Sequence, residues 1–329
     1  MLSRVASSIY WMNRYVERAE NVARFIDVSS HLLLDLPESF EGQWAALVKI
    51  TGDFEDFESR YPDKGQDSVI EFLAFDRQNP NSIVSCVHAA RENARTTREI
   101  LSSETWEAIN EFYLNIQSSV GKKNLPLNFF RDVRKAGHYI EGAQSETMSR
   151  GEAWHFGRMG RMLERADKTT RILDIKYFLL LPTIRDVGSP IDDLQWGAVL
   201  RSASAFEMYR KEFGRIAADD IVKFLVLDPE FPRSVRYCLH QADRALRAVS
   251  GSQERRYQND AERLLGRLVA SLDYTNGDEI VEHGLHEFLD HTQEQVNSVS
   301  QAIFDTFFAL KRMARGEPGS RTLRRGAYT

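Results

Sequence analysis

Only two cysteines occur in 329 residues, Cys86 and Cys238. No disulfide framework organises the chain, and no Cys-x-x-Cys pair offers a redox or zinc site. Nine prolines leave long stretches rich in Ala, Leu, Arg and Glu unbroken, which favours helix. No run of eighteen apolar residues is present, so no membrane-spanning helix is expected. The opening MLSRVASSIYWMNRYVERAE turns charged too early for a signal peptide, and the expected address is cytoplasmic. A net charge of −5 gives no reason to expect nucleic acid as a partner. No phosphate loop is recognisable, because FGRMGR lacks the preceding strand such a loop needs. A Gly-x-Ser-x-Gly elbow is also missing.

What is present is a repeat. RYVERAENVARFID (residues 14–27) recurs as RMLERADKTTRILD (161–174). Identities fall at Arg14/Arg161, Glu17/Glu164, Arg18/Arg165, Ala19/Ala166, Arg24/Arg171 and Asp27/Asp174, and Glu20/Asp167 keeps its charge. The match extends well beyond the motif. QWAALV from Gln43 meets QWGAVL from Gln195, and residues 69–95 align with 221–247 with nine identities. Self-similarity over this span is the signature of a duplicated structural unit.

Periodicity and breakers therefore predict an all-α bundle of about twelve helices, built from two pseudo-repeats of about 150 residues. Residues 1–147 form the first repeat, 148–315 the second, packed as one compact unit, and 316–329 a flexible basic tail. Each repeat carries a long first helix (3–35 and 150–181) ended by LPES or LPT, then a Trp-bearing helix (40–59 and 192–214). A short helix around EFLAF or KFLVL comes next, followed by one opening near Pro80 or Pro232. The last two helices cover 104–120 and 126–147, then 254–273 and 278–314.

On the first helix, Met12, Tyr15, Val16, Ala19, Val22, Ala23 and Ile26 fall on one apolar stripe. Arg18 lies at its edge, and Glu17 nearly opposite its centre. Two readings of the motif stay open. In one, the first helices pack side by side, so that Glu17 reaches Arg165 or Arg161 while Glu164 reaches Arg18 or Arg14. A buried carboxylate requires a guanidinium partner, so the pairs would set the register of the halves. Arg24 and Arg171, with Glu20 and Asp167, extend these pairs. In the other reading, Glu17 and Glu164 are acid/base groups and the arginines grip an anionic substrate. A dimetal centre needs two Glu-x-x-His motifs. Only Glu152-Ala-Trp-His155 is present, so no metal and no other cofactor is expected.

Cys86 with His88 and Cys238 with His240 recur, but residues two apart on a helix diverge by about 200° and share no face. They read as a buried cysteine and an interfacial histidine. Asp76 and Asp228 stand before the proline-led helices as caps, or as acceptors for a first-helix arginine. Arg233 in FPRSV is a candidate partner contact. Arg150, Trp154 and His155 occupy TMSRGEAWHF between the halves, where a kink at Gly151 would let them line a cleft.

Four stretches together, YWMNRYVERAENVAR, TMSRGEAWHFGRMGRMLERADKTTRILDIKYF, LRSASAFEMYR (Leu200 to Arg210) and VKFLVLDPEFPRSVRYCL, resemble the bacterial alpha-E family over the full chain. That family is an all-helical domain named for a Glu-Arg pair. The resemblance implies companions rather than an activity: circularly permuted ATP-grasp proteins, transglutaminase-like proteins and sometimes a proteasome-related peptidase. It points to a non-catalytic adaptor or scaffold in a peptide-ligation or protein-modification system. An enzyme acting on peptide or amino-acid amide bonds, and a stand-alone anion- or peptide-binding bundle, are the alternatives.

Overall fold

The computed structural model describes residues 1–34, 44–122, 125, 128–178, 188–253 and 256–309. The LPES and LPT segments and the 316–329 tail lie outside them. Among the described residues there are fifteen α-helices and no strand. The first half holds α1 (Ser3–Leu34), α2 (Trp44–Thr51), α3 (Phe54–Arg60), α4 (Gln66–Ile70), α5 (Ile83–Thr96), α6 (Ser103–Gln117) and α7 (Phe129–Thr147). The second holds α8 (Glu152–Phe178), α9 (Pro190–Ser202), α10 (Phe206–Phe213) and α11 (Ala218–Leu227). It continues with α12 (Val235–Ser250), α13 (Asp260–Tyr274), α14 (Gly277–His283) and α15 (Leu285–Ile303). π-Helical turns follow α4 (Glu71–Phe75) and α15 (Phe304–Phe308).

Three breaks separate the twelve expected helices from the fifteen observed. The predicted 40–59 helix is cut at Gly52, the 192–214 helix at Ser204 and the 278–314 helix at Gly284, with φ of 83°, 52° and 97°. A left-handed residue cannot continue a right-handed helix, and glycine adopts it at little cost. Ser204 is the only non-glycine among the described residues with positive φ.

Two boundaries also differ from expectation. Ser82 and Ser234 cap α5 and α12, each accepting from the backbone N–H three residues on. Pro80 and Pro232 therefore precede the caps rather than sit in the first turn. The kink expected at Gly151 is a full break, because α7 ends at Thr147 and α8 begins at Glu152.

The two long helices, α1 and α8, pack against each other. Gly160 lets them meet closely: a Cβ there would lie 2.4 Å from the Tyr10 carbonyl oxygen. Other helices pack around this pair. α1 also touches α5, α7 and α9, and α8 touches α12, α15 and α2. The second helix of each half thus lies against the long helix of the other. Packed on several sides, α1 buries Glu17 even though it lies opposite the apolar stripe.

Candidate functional site

The motif residues meet where α1 faces α8. Glu17 is 1% exposed and Glu164 is fully buried. Arg165 grips Glu17 with two prongs, Nε donating to Oε1 at 2.9 Å and Nη2 to Oε2 at 2.7 Å. Arg18 grips Glu164 in the same way, Nε to Oε1 at 2.7 Å and Nη2 to Oε2 at 3.0 Å. Arg14 adds Nε to Glu164 Oε2 at 2.8 Å. Each carboxylate is thus held by arginine from the opposite long helix. Planar guanidinium matches carboxylate in this geometry, and desolvation strengthens the contact.

Around each pair lies a second set of charges. Arg233 donates Nη1 to Glu17 Oε1 at 3.0 Å and Nη2 to Glu20. It is buried in the Glu17 cluster, not displayed to a partner, because the turn before α12 aims inward at α1. Asn21 Nδ2 completes Glu17 Oε1 at 3.0 Å. Lys168 lies 3.6 Å from Glu164 and 3.0 Å from Asp167. Asn81 accepts from Arg18 Nη1 at 2.6 Å. Arg161, expected to serve Glu17, instead pairs with Glu141 of α7 at 3.2 Å, and Glu141 also receives Arg165 at 3.3 Å.

Further along the same helices, Arg24 pairs with Glu20 and Arg171 Nε with Asp167 at 2.9 Å. Both arginines then reach the other half. Arg24 donates to the Ser204 hydroxyl and Arg171 to the Ile50 carbonyl at 3.1 Å, locking the helix breaks there. Burial first, and then the Arg233 charge, push Arg24 down to about 9, which leaves it protonated at neutral pH. Burial pushes Glu164 up, but the charges of Arg18, Arg14 and Lys168 outweigh it and hold the carboxyl well below the usual range.

The remaining candidates do not join this cluster. Asp76 accepts the Gln78 N–H at 2.8 Å and receives Arg60 of α3. Asp228 accepts from Glu230 and Phe231 N–H groups. Both act as turn caps, and neither receives a first-helix arginine among the described residues. Arg150 stacks on Trp154 at 4.4 Å, and His155 meets the Trp154 ring edge-on at 5.1 Å. Arg158 covers Trp154 as well, at 5.3 Å. Cys86 and Cys238 are buried, and burial pushes both thiols up to about 12. His240 instead meets Asp273 at 2.8 Å. No group of three His, Cys, Asp or Glu is placed to hold a metal among the described residues. Nor is any helix there long and apolar enough to cross a membrane.

Glu141, Lys168, Asn21 and Asn81 were missed by sequence reasoning, which weighted positions identical between the halves. Lys168 and Asn21 align with each other, and Asn81 aligns with Arg233. The readable signal was the exchange itself.

The chain is 26% identical over 283 residues to an uncharacterised protein of Mycobacterium bovis and to uncharacterised proteins of two Mycobacterium tuberculosis strains. The match covers 76% of this chain but 30% of each relative, so the chain spans under a third of their length. No solved structure matches. A family model described as a predicted alpha-helical domain with a conserved ER motif matches residues 1–308, and Glu17-Arg18 and Glu164-Arg165 are two Glu-Arg pairs within that span. With nearly its whole length matched, the chain belongs to the Alpha-E family.

Proposed function

We propose that this chain is a non-catalytic helical scaffold in a cytoplasmic, ATP-grasp and transglutaminase-associated system of peptide ligation or protein modification. Its Glu-Arg pairs act as the joint between two duplicated halves, 1–147 and 148–315. The observation that carries this is the closure of the joint: Glu17 and Glu164 are 1% and 0% exposed, with their oxygens taken by guanidinium groups. A general base works best with a pKa near the operating pH and a free lone pair aimed at substrate. Glu164 has neither, since its neighbours hold it far below neutrality. The short coverage of the curated relatives supports a unit that works beside, or fused to, larger machinery.

A co-expression experiment with a circularly permuted ATP-grasp partner tests the scaffold role. The two chains should co-purify, and partner turnover should fall when this chain is omitted. Unchanged turnover without it would sink the proposal. The joint is tested separately by Glu17→Gln and Glu164→Gln, which should lower the melting temperature and partner capture together. Loss of turnover with folding and capture intact would instead favour the amide-bond enzyme.

A further inference from the structure

Beside the Ser204 break lies a cavity of about 790 Å³, between the C-terminal part of α1, the start of α7, and α9 with α10. Its size falls within the range of small-molecule sites. Four apolar side chains, Val28, Leu194, Ala198 and Phe206, share its wall with charged groups of both signs. Arg134 is paired there with Asp27 at 2.7 Å. Arg201 and Glu207 also line the wall, yet neither forms an ion pair with any described residue, including with each other. The Arg201 guanidinium sits over the Phe206 ring at 4.5 Å, which holds it in place while no carboxylate of the described residues pairs with it.

Two further observations mark this wall as more than a surface fold. Arg134 Nε is buried and has no hydrogen-bond partner among the described residues, a state that costs free energy. Ser204, in the same wall, holds the strained left-handed backbone that its counterpart Gly52 adopts freely. Strain in a non-glycine residue clusters at ligand sites, where surrounding structure enforces it. Here a fully buried arginine, Arg24, fixes the Ser204 hydroxyl from behind.

From these observations we infer that the cavity binds a short peptide with both ends free, its carboxylate on Arg201 and its ammonium on Glu207. Opposite charges that face one cavity without meeting each other match a ligand carrying both signs. A purely anionic ligand would leave Glu207 repelling it, and a purely cationic one would meet Arg201. The apolar wall accepts a small side chain between the two ends. This inference stands on the cavity's own chemistry and goes beyond the scaffold role, which survives if it fails.

Titration of the full chain with trialanine bearing free ends, followed by calorimetry or NMR, is the test. N-acetylated and C-amidated trialanine and inorganic phosphate are the controls. Free trialanine should bind saturably, and either cap should weaken it about tenfold. Arg201→Gln should cost the same factor and make binding indifferent to C-amidation. Glu207→Gln should make it indifferent to N-acetylation. Both side chains are exposed, so these variants keep the fold, checked by circular dichroism. No saturable binding up to about 10 mM, in the weak millimolar range, overturns the inference. So does equal binding of capped peptides, or phosphate binding as tightly as trialanine.

Discussion

The Glu17 and Glu164 sites solve one problem with different residues. Each buries a carboxylate and grips it with a two-pronged arginine from the facing helix. The next cation differs. At Glu17 it is Arg233, from the turn before α12, and the residue one helical turn along is Asn21. At Glu164, which Arg14 also holds at 2.8 Å, the further cation is Lys168, one helical turn along, and the residue in the turn before α5 is Asn81. Positions 21 and 168 correspond, as do 81 and 233, so cation and amide have traded places. What both sites keep is at least one cation beside the gripping arginine, because an unmatched buried charge is far more costly than a rearranged one.

The largest test of that comparison removes the carboxylates. Glu164→Gln leaves Arg14, Arg18 and Lys168 facing one another in the core, and should cost about 3–5 kcal/mol in urea melts, the range for a broken buried pair. Glu17→Gln should cost nearly as much. If both are near neutral, the pairs do not hold the halves together. A smaller effect follows from moving the cation. Arg233→Asn should cost about 2 kcal/mol, in the range of a lost charged hydrogen bond, and adding Asn21→Lys should recover about half by copying the Glu164 arrangement. Additive losses in the double variant would show that the exchange is incidental.

Much of this was legible in the sequence, for a reason that also marks its limit. Glu17, Arg165, Glu164, Arg18 and Arg14 were readable because identical charges recurred at matched positions, and their pairing followed from the cost of burying charge. The start of α1 near Ser3 and the end of α7 at Thr147 followed from periodicity. Ser204 was not legible as a break, since nothing in LRSASAFEMYR departs from helical composition. Its left-handed backbone is fixed by Arg24 from a helix 180 residues away in sequence. Arg161 went to Glu141 rather than Glu17 for a similar reason: the partner lies on α7, outside the two matching stretches 14–27 and 161–174.

Ser204 and Gly52 give the next comparison, smaller in effect. Gly52→Ser forces a side chain into φ of 83° and should cost about 1 kcal/mol, the usual penalty for left-handed backbone. Ser204→Gly relieves that strain but removes the hydroxyl that accepts from buried Arg24. The lost charged hydrogen bond, about 1.5–3 kcal/mol, exceeds the relief, so this variant should also destabilise, by about 1 kcal/mol. A more stable Ser204→Gly protein would mean that the hydroxyl contributes nothing.

The smallest effect lies at the far end of the motif, where Asp27 and Asp174 differ in partner. Asp27 receives Arg134 of α7, and Asp174 meets His286 Nδ1 of α15 at 2.6 Å. An arginine keeps its charge across the working range, whereas the hydrogen bond to Asp174 raises His286 above the usual imidazole value. A raised folded pKa means that the stabilisation is complete below the unfolded value, about 6.5, and is lost as pH climbs through the folded one. Burial raises Asp174 too, which gives a slope of the same sign in a lower window, starting near the unfolded carboxyl value of about 4. As pH rises past 6 the histidine loses its charge, so the α8–α15 joint should weaken by about 0.5 kcal/mol, the scale of a partly exposed ion pair. Melting temperature should fall by about 1–2 °C for a chain of this length. His286→Arg, which copies the Arg134 joint, should remove that part of the pH slope while leaving the melting temperature at pH 6 nearly unchanged. An undiminished slope in that variant would place the titration at another histidine and leave the two aspartate joints equivalent.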